Sequence, residues 1–245
     1  MKEVMLYTGG MDSYMAWRLL DKPPILYVDM GHAYAEREIE NLKVLHPDLY
    51  VPSDDRLFLG DLETASGWIP LRNAFLLMVG AVYRDDISTV YLNALKGEGS
   101  NDKAPRFLRQ MTDMMSFCLE RKVKAVAPFG KLHKYQLVRL FLERFPAPSD
   151  LQALCATSVC YRAALPSGMT GCGACGSCFF RWVAMSLNNV EETYMAPPWE
   201  WEMAQSTHWR DWVSWFLKRP LSYWIPGLMS RYYVWRALRT KGGWR

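Results

Sequence analysis

Two clusters of residues in this chain carry chemistry by type and spacing. Near the start, the apolar run at residues 4–7 stops at Thr8-Gly9-Gly10-Met11-Asp12-Ser13, and Tyr14-Met15-Ala16-Trp17 resumes with helical character. Paired glycines open backbone conformations closed to other residues and leave no side chain between the main chain and a ligand. The hydroxyls of Thr8 and Ser13 can donate to phosphate oxygens, and the unpaired N–H groups of a helix starting near Asp12 add positive partial charge. The stretch reads as a phosphate cradle; the competing reading is an ordinary strand-to-helix turn capped by Asp12 or Ser13. The loop matches neither G-x-x-x-x-G-K-S/T nor G-x-G-x-x-G, so it is of neither common nucleotide type.

The second cluster is Cys172, Cys175 and Cys178, a C-x-x-C-x-x-C run separated by Gly173-Ala174 and Gly176-Ser177. Small spacers allow the tight turns that point several sulfurs at one centre. Cys160 is the expected fourth ligand, with Cys155 in reserve, and four thiolates fit a structural zinc better than a catalytic one. An iron–sulfur cluster is the rival, since similar runs ligate such clusters. Cys118, between Phe117 and Leu119 on an apolar helical stretch, is expected to be plain core.

The remaining elements must position these groups. At 245 residues with half of them apolar, the chain can bury a substantial core. It has no run of about 18 uncharged apolar residues and no secretory signal at its start, which points to a soluble cytoplasmic protein without a transmembrane segment. Five of its six cysteines fall between 155 and 178, a clustering that argues for metal rather than disulfides. Buried parallel strands are expected at 25–29, 89–95 and 123–128, with a weaker one at 57–59, besides the strand that ends in the glycine loop. Helices are expected at 33–45, 71–83, 104–121 and 134–144. This alternation implies an α/β, doubly wound parallel sheet with ligands at the carboxyl ends of the strands.

Composition then suggests three parts: a nucleotide-binding α/β domain at 1–148, a zinc module with a helix at 149–190, and a Trp/Arg-rich helical extension at 191–245. The break rests on Pro146-Ala147-Pro148-Ser149-Asp150, a turn-forming stretch. The net charge of +4 conceals eight Lys or Arg against the single acid Asp211 over residues 203–245, a local +7 that leaves −3 elsewhere. Eight of the eleven tryptophans lie after Met195, and those at 209, 212 and 215 would share one side of a helix. A partner or subunit interface, a membrane surface and nucleic-acid stacking are functional readings of this tail; packing on the body of the protein is the plain one. Packing or a homodimer interface is preferred to nucleic acid.

The string T-G-G-M-D-S resembles the S-G-G-x-D-S signature of the PP-loop ATP pyrophosphatases, a hydroxyl surviving at its first position. Together with the cysteine module it resembles the 7-cyano-7-deazaguanine synthases within that superfamily. Ile69-Pro70-Leu71-Arg72-Asn73 looks like the family's V-P-x-R-N, Ala127-Pro128-Phe129 with His133-Lys134 resembles A-P-L…T-K, Ser158-Val159-Cys160-Tyr161 resembles S-C-Y with one insertion, and Cys178-Phe179-Phe180-Arg181 matches C-x-x-R. The resemblance implies an adenine nucleotide alpha hydrolase-like fold and an ATP-dependent carbon–nitrogen ligase. Such an enzyme adenylates the carboxylate of a deazapurine, expels pyrophosphate, lets ammonia form an amide, and dehydrates that amide to a nitrile.

Under this reading Thr8, Gly9, Gly10, Met11, Asp12, Ser13 and Asn73 bind ATP. Arg72 and Lys134 neutralise the departing pyrophosphate, with a surface ion pair the bland alternative for Arg72. Asp12 holds Mg2+ or caps the helix. His32, in Gly31-His32-Ala33 where the family has G-Q-R, and Asp102, in a stretch resembling Y-P-D-C-R-P-E-F, face the deazapurine; a polar loop role is the alternative for His32. Lys103 and Ala104 replace that motif's cysteine and arginine, so a different deazaguanine derivative, an RNA base, arrest at the amide, or a non-catalytic relative are the competing functions.

Overall fold

The computed structural model describes residues 2–47, 59–64, 69–98, 100–157, 160, 165–166, 168–200, 233 and 236–237. The chain folds as two compact units. One comprises Met1–Leu132 with Gln152–Ser158, the other His133–Leu151 with Val159–Arg245.

The first unit is built on a four-stranded sheet of β1 (Lys2–Leu6), β2 (Ile25–Leu26), β3 (Ile87–Tyr91) and β4 (Lys124–Val126), in the order β2-β1-β3-β4 and parallel throughout. Because successive side chains on a strand face opposite ways, β1 feeds two cores. Val4 and Leu6 join Leu26, Val90 and Ala125 on the face that packs Leu77 and Ala81 of α3 (Arg72–Val82) and Leu108, Met111 and Met115 of α4 (Pro105–Cys118). Met5 and Tyr7 join Tyr27 on the other face, against Ala16 of α1 (Met11–Leu19) and Leu42 of α2 (Ala35–Leu45). Helices on both faces of a parallel sheet make the expected doubly wound α/β fold. The chain leaves β1 for β2 on one side and returns as β3 on the other, so the topological switch point lies between β1 and β3, where such folds bind ligands.

Several elements differ from expectation. The strand expected at 57–59 falls mostly outside the described residues. β2 is two residues long instead of five, being paired only to β1. β3 ends at Tyr91: the Leu92 N–H still reaches the Val126 carbonyl at 2.9 Å, but the Ala94 N–H bonds back to the Leu92 carbonyl at 2.9 Å. Cys118 is exposed rather than core, since it ends α4 while Leu108, Met111 and Met115 form the buried stripe.

In the second unit, α5 (Lys134–Arg144) starts where the pattern places it, fixed by a capping box in which His133 N–H bonds Gln136 Oε1 at 2.9 Å. The Pro146–Asp150 stretch opens a helix, α6 (Pro148–Cys155), because proline suits a first helical position. Residues 148–151 of α6 fall in the second unit and residues 152–155 in the first. Helix α7 (Gly176–Ser186) begins inside the cysteine run and buries Phe179, Trp182 and Val183. The tryptophans at 209, 212 and 215 lie outside the described residues. Two described tail residues pack on this unit: Ala237 is fully buried against Phe179, Trp182 and Val183, and the Tyr233 ring packs at a tilt on Tyr135, 4.0 Å between centroids. Among the described residues no helix is long and apolar enough to cross a membrane.

Candidate active site and metal centre

The glycine loop emerges from the carboxyl end of β1 beside the switch point. Gly9 takes φ +71°, a left-handed conformation that favours glycine, and a Cβ there would lie 2.8 Å from Asn41 Nδ2. Asn41 of α2 donates to the Gly9 carbonyl at 3.0 Å, tying the turn to the helix that packs behind it. Gly10 then caps α1 with extended backbone and no side-chain hydrogen bond. Met11 and Ser13 are buried in the first turn, Asp12 is half-buried and Thr8 is exposed. Ser13 Oγ donates to the Gly10 carbonyl at 2.9 Å. The first-turn N–H groups of α1 and the Thr8 hydroxyl are therefore the donors this loop offers to an anion.

The sites inferred at α3 come together in two neighbouring pairs. Arg72 is the first residue of α3, and its Nη1 donates to Tyr34 Oη at 3.2 Å. Tyr34 packs edge-on against the His32 ring at 4.2 Å between centroids. Asn73, the next residue, is 4 % exposed and donates through Nδ2 to Asp102 Oδ2 at 2.8 Å, leaving Asp102 Oδ1 buried with no hydrogen-bond partner among the described residues. His32 is 5 % exposed, and its Nε2 lies 3.2 Å from Glu38 Oε2. At the switch point itself, Asn93 Nδ2 donates to the Leu6 carbonyl at 2.9 Å, joining the ends of β3 and β1. Lys103, in the position of the motif's cysteine, is held by Glu98 at 3.1 Å. Lys134 is the half-buried first residue of α5 in the second unit.

Sequence reasoning missed Tyr34, Glu38, Asn41 and Asn93. Each acts through a contact formed only when loop, helix and strand ends meet, so no local spacing announces it.

The cysteine module is a compact cluster in the second unit. The sulfurs of Cys160, Cys172, Cys175 and Cys178 all lie within 4.8 Å of one another, so Cys160, not Cys155, completes the set. Cys172 Sγ and Cys178 Sγ are 3.9 Å apart; two sulfurs about 2.3 Å from one tetrahedral zinc would be separated by about 3.8 Å. Cys175 caps α7 and Cys178 sits in its first turn, where the helix dipole favours thiolates. With protons alone to share, a hydrogen bond to Cys160 and burial push the Cys175 thiol up to about 11, and hydrogen bonds to Cys160 and Cys175 push Cys178 higher still. A bound cation relieves that crowding by replacing the protons. Gly173, at φ +72°, leaves no room for a Cβ against the Ala196 carbonyl, and the Ala174 N–H bonds Cys172 Sγ at 3.4 Å.

Residues just beyond the cysteines complete this module. Thr170 N–H bonds the Thr193 carbonyl at 2.7 Å and Met195 N–H the Gly171 carbonyl at 3.0 Å. Arg181, fully buried one turn after Cys178, is clamped by Glu192: Nε lies 3.0 Å from both carboxylate oxygens and Nη2 2.7 Å from Oε1. Tyr194 Oη donates to the same carboxylate at 2.7 Å; burial and then the Glu192 charge push its phenol pKa up.

Residues 51–189, more than half of the chain, match the family model of the queuosine biosynthesis protein QueC. The chain belongs to the QueC family. The matched span contains Arg72, Asn73, Asp102, Lys134 and the four clustered cysteines; the glycine loop and His32 precede it. Curated relatives bear the corresponding enzyme name. The 7-cyano-7-deazaguanine synthase 2 of Sulfurisphaera tokodaii is 25% identical over 225 residues, covering 78% of this chain and 47% of that protein. The synthase of Sulfolobus acidocaldarius is 25% identical over 224 residues, 77% of this chain and 46% of its own. That of Methanothrix thermoacetophila is 26% identical over 215 residues, 74% of this chain and 92% of its own. The chain thus spans about half the length of the first two relatives.

Proposed function

We propose that this QueC-family chain is an ATP-dependent carbon–nitrogen ligase that converts 7-carboxy-7-deazaguanine and ammonia to 7-cyano-7-deazaguanine. The observation that carries the reading is the left-handed Gly9 turn feeding the N-terminus of α1 at the switch point of the sheet, in a chain whose relatives bear that enzyme's name. In this reading the loop from Thr8 to Ser13 holds the phosphates of ATP through main-chain N–H groups and the Thr8 hydroxyl. Arg72 offers a planar fork and Lys134 a mobile charge to the oxygens onto which negative charge moves as pyrophosphate departs. Asp12 is the carboxylate that would hold Mg2+, which would neutralise charge on the phosphates. Asn73, fixed by Asp102, orients the nucleotide, while Asp102 and His32 present acceptors to the deazapurine.

Carboxylate oxygen is a poor leaving group and AMP a good one, so adenylation makes the acyl carbon attackable; beyond that the chain supplies placement and charge. Zinc at Cys160, Cys172, Cys175 and Cys178 is structural, since four thiolates leave no open position for chemistry. The test is ATP–pyrophosphate exchange in Mg2+. Exchange that depends on 7-carboxy-7-deazaguanine is the expected result, and exchange with no deazaguanine acid refutes the reading. The pairing of Lys103 with Glu98, where the family carries cysteine, makes arrest at the amide the second reading.

A further inference from the structure

Helix α2 grips the glycine loop on both sides of Thr8. On one side Asn41 Nδ2 donates to the Gly9 carbonyl at 3.0 Å. The amide orientation is set by that partner, because a carbonyl only accepts and an amide nitrogen only donates. On the other side His46 Nε2 lies 2.9 Å from the hydroxyl of Tyr7, buried just past the end of β1. Trp17 of α1 packs edge-on against both of these rings, 6.1 Å from Tyr7 and 4.7 Å from His46 between centroids. Leu42, next to Asn41 and fully buried, seats the helix on Met5, Tyr7, Ala16 and Tyr27. The exposed Thr8 thus stands between two residues fixed to one helix.

The Asn41 contact sets more than the position of the turn. The Gly9 carbonyl and the Gly10 N–H belong to one planar trans peptide and point in opposite directions. With the carbonyl held toward α2, the N–H faces away from that helix. Neither glycine has a Cβ to hinder rotation of the peptide between them, so without the Asn41 bond this peptide is free to turn over. A turned peptide would show a bound anion the negative end of a dipole in place of a donor.

We propose that Asn41 is a positioning residue for ATP: it locks the Gly9–Gly10 peptide in the orientation that offers N–H, rather than carbonyl, to the phosphates. This rests on the reading of the loop as the phosphate cradle. Asn41 acts through the main chain and not by contact with the nucleotide. The His46–Tyr7 contact and the Trp17 ring hold the far end of the same helix, so α2 sets the loop before ATP arrives. Donors fixed in advance need no reorganisation when charge moves onto the departing pyrophosphate.

The experiment measures ATP binding in Mg2+ by calorimetry, and its displacement by inorganic pyrophosphate, in Asn41→Leu, Asn41→Ser and Leu42→Ala proteins that retain their metal. Leucine has the size of asparagine without its donor, and serine is too short to span the gap. Both are expected to weaken ATP about ten- to a hundredfold, as loss of one hydrogen bond to a charged group does, with pyrophosphate weakened by a similar factor. Leu42→Ala loosens the packing beneath the same turn and leaves the amide in place. It is expected to lower the midpoint of thermal unfolding while ATP affinity changes less than threefold. A loss of less than fivefold in both Asn41 variants overturns the proposal. So does an equal loss in Leu42→Ala, which makes the role one of packing, or ATP weakened with pyrophosphate unaffected. ATP binding by the unsubstituted protein that pyrophosphate does not displace defeats this proposal alone, whereas no ATP binding at all defeats the adenylating reading and this proposal with it.

Discussion

The buried clamp behind the cysteine module gives a sharp test of what holds the second unit together. Replacing Glu192 by Gln keeps volume and shape but removes the carboxylate charge that clamps a fully buried guanidinium. Arg181 is 0 % exposed and the Glu192 side chain 2 %, with three N···O contacts of 2.7 to 3.0 Å between them. Breaking such a pair from one side costs about 3–5 kcal/mol, because the remaining ion is stranded without water. Tyr194→Phe removes one charge-assisted hydrogen bond and should cost about 1.5–3 kcal/mol. Replacing both ions, as in Arg181→Met with Glu192→Leu, should recover most of the loss, since buried pairs exchange for apolar groups at little cost. Urea unfolding of the metal-loaded protein measures all three. Because Arg181 follows Cys178 by one turn of α7, Glu192→Gln should also release metal to a chelator at lower concentration. A Glu192→Gln protein within about 1 kcal/mol of the parent, or a double variant worse than the single, would refute this assignment.

Other outcomes follow from single sites. Metal analysis of protein purified without added metal should find about one zinc per chain, and Cys178→Ser should abolish it; iron with visible absorption would favour a cluster instead. Gly9→Ala forces a Cβ toward Asn41 Nδ2 at φ +71°, which should cost about 1–3 kcal/mol and weaken ATP binding measured by calorimetry. Leu71 stands at φ 59° and is 76% exposed at the head of α3; Leu71→Asn, which tolerates that conformation and caps helices, should stabilise by about 1 kcal/mol. Burial and then the Lys22 charge lower the pKa of His46, so the unfolded chain binds its proton more tightly than the folded one. The stability gained from neutral His46 is present above its ordinary pKa near 6.5 and is lost as pH falls toward the lower folded value. His46→Gln should flatten that part of a pH–stability profile.

The parts of this protein that sequence makes legible are those encoded locally. The alternation of apolar strands and amphipathic helices yields the doubly wound sheet, helical periodicity over 134–144 locates α5, and cysteine spacing names the ligand set. Helix α7 is harder to see because Gly176 and Ser177 open it, and both read as turn residues. Pro148 is ambiguous for the opposite reason, serving equally to end one element and begin another. The supporting contacts are not local at all: Glu38 meets His32 across a loop, Tyr34 meets Arg72 38 residues away, and Glu192 meets Arg181 from a segment whose composition places it with the tail. Such pairs form only when the elements have packed, so residue type suggests a capacity and the fold alone chooses the partner.

The most direct measurement of the proposed chemistry is mass spectrometry of the reaction of intact, metal-loaded protein with 7-carboxy-7-deazaguanine, ammonium, ATP and magnesium. Formation of 7-cyano-7-deazaguanine, with 7-amido-7-deazaguanine as its precursor and AMP and pyrophosphate released at each activation, is the predicted result. Unchanged acid in the presence of fully loaded metal sites and intact ATP would contradict it.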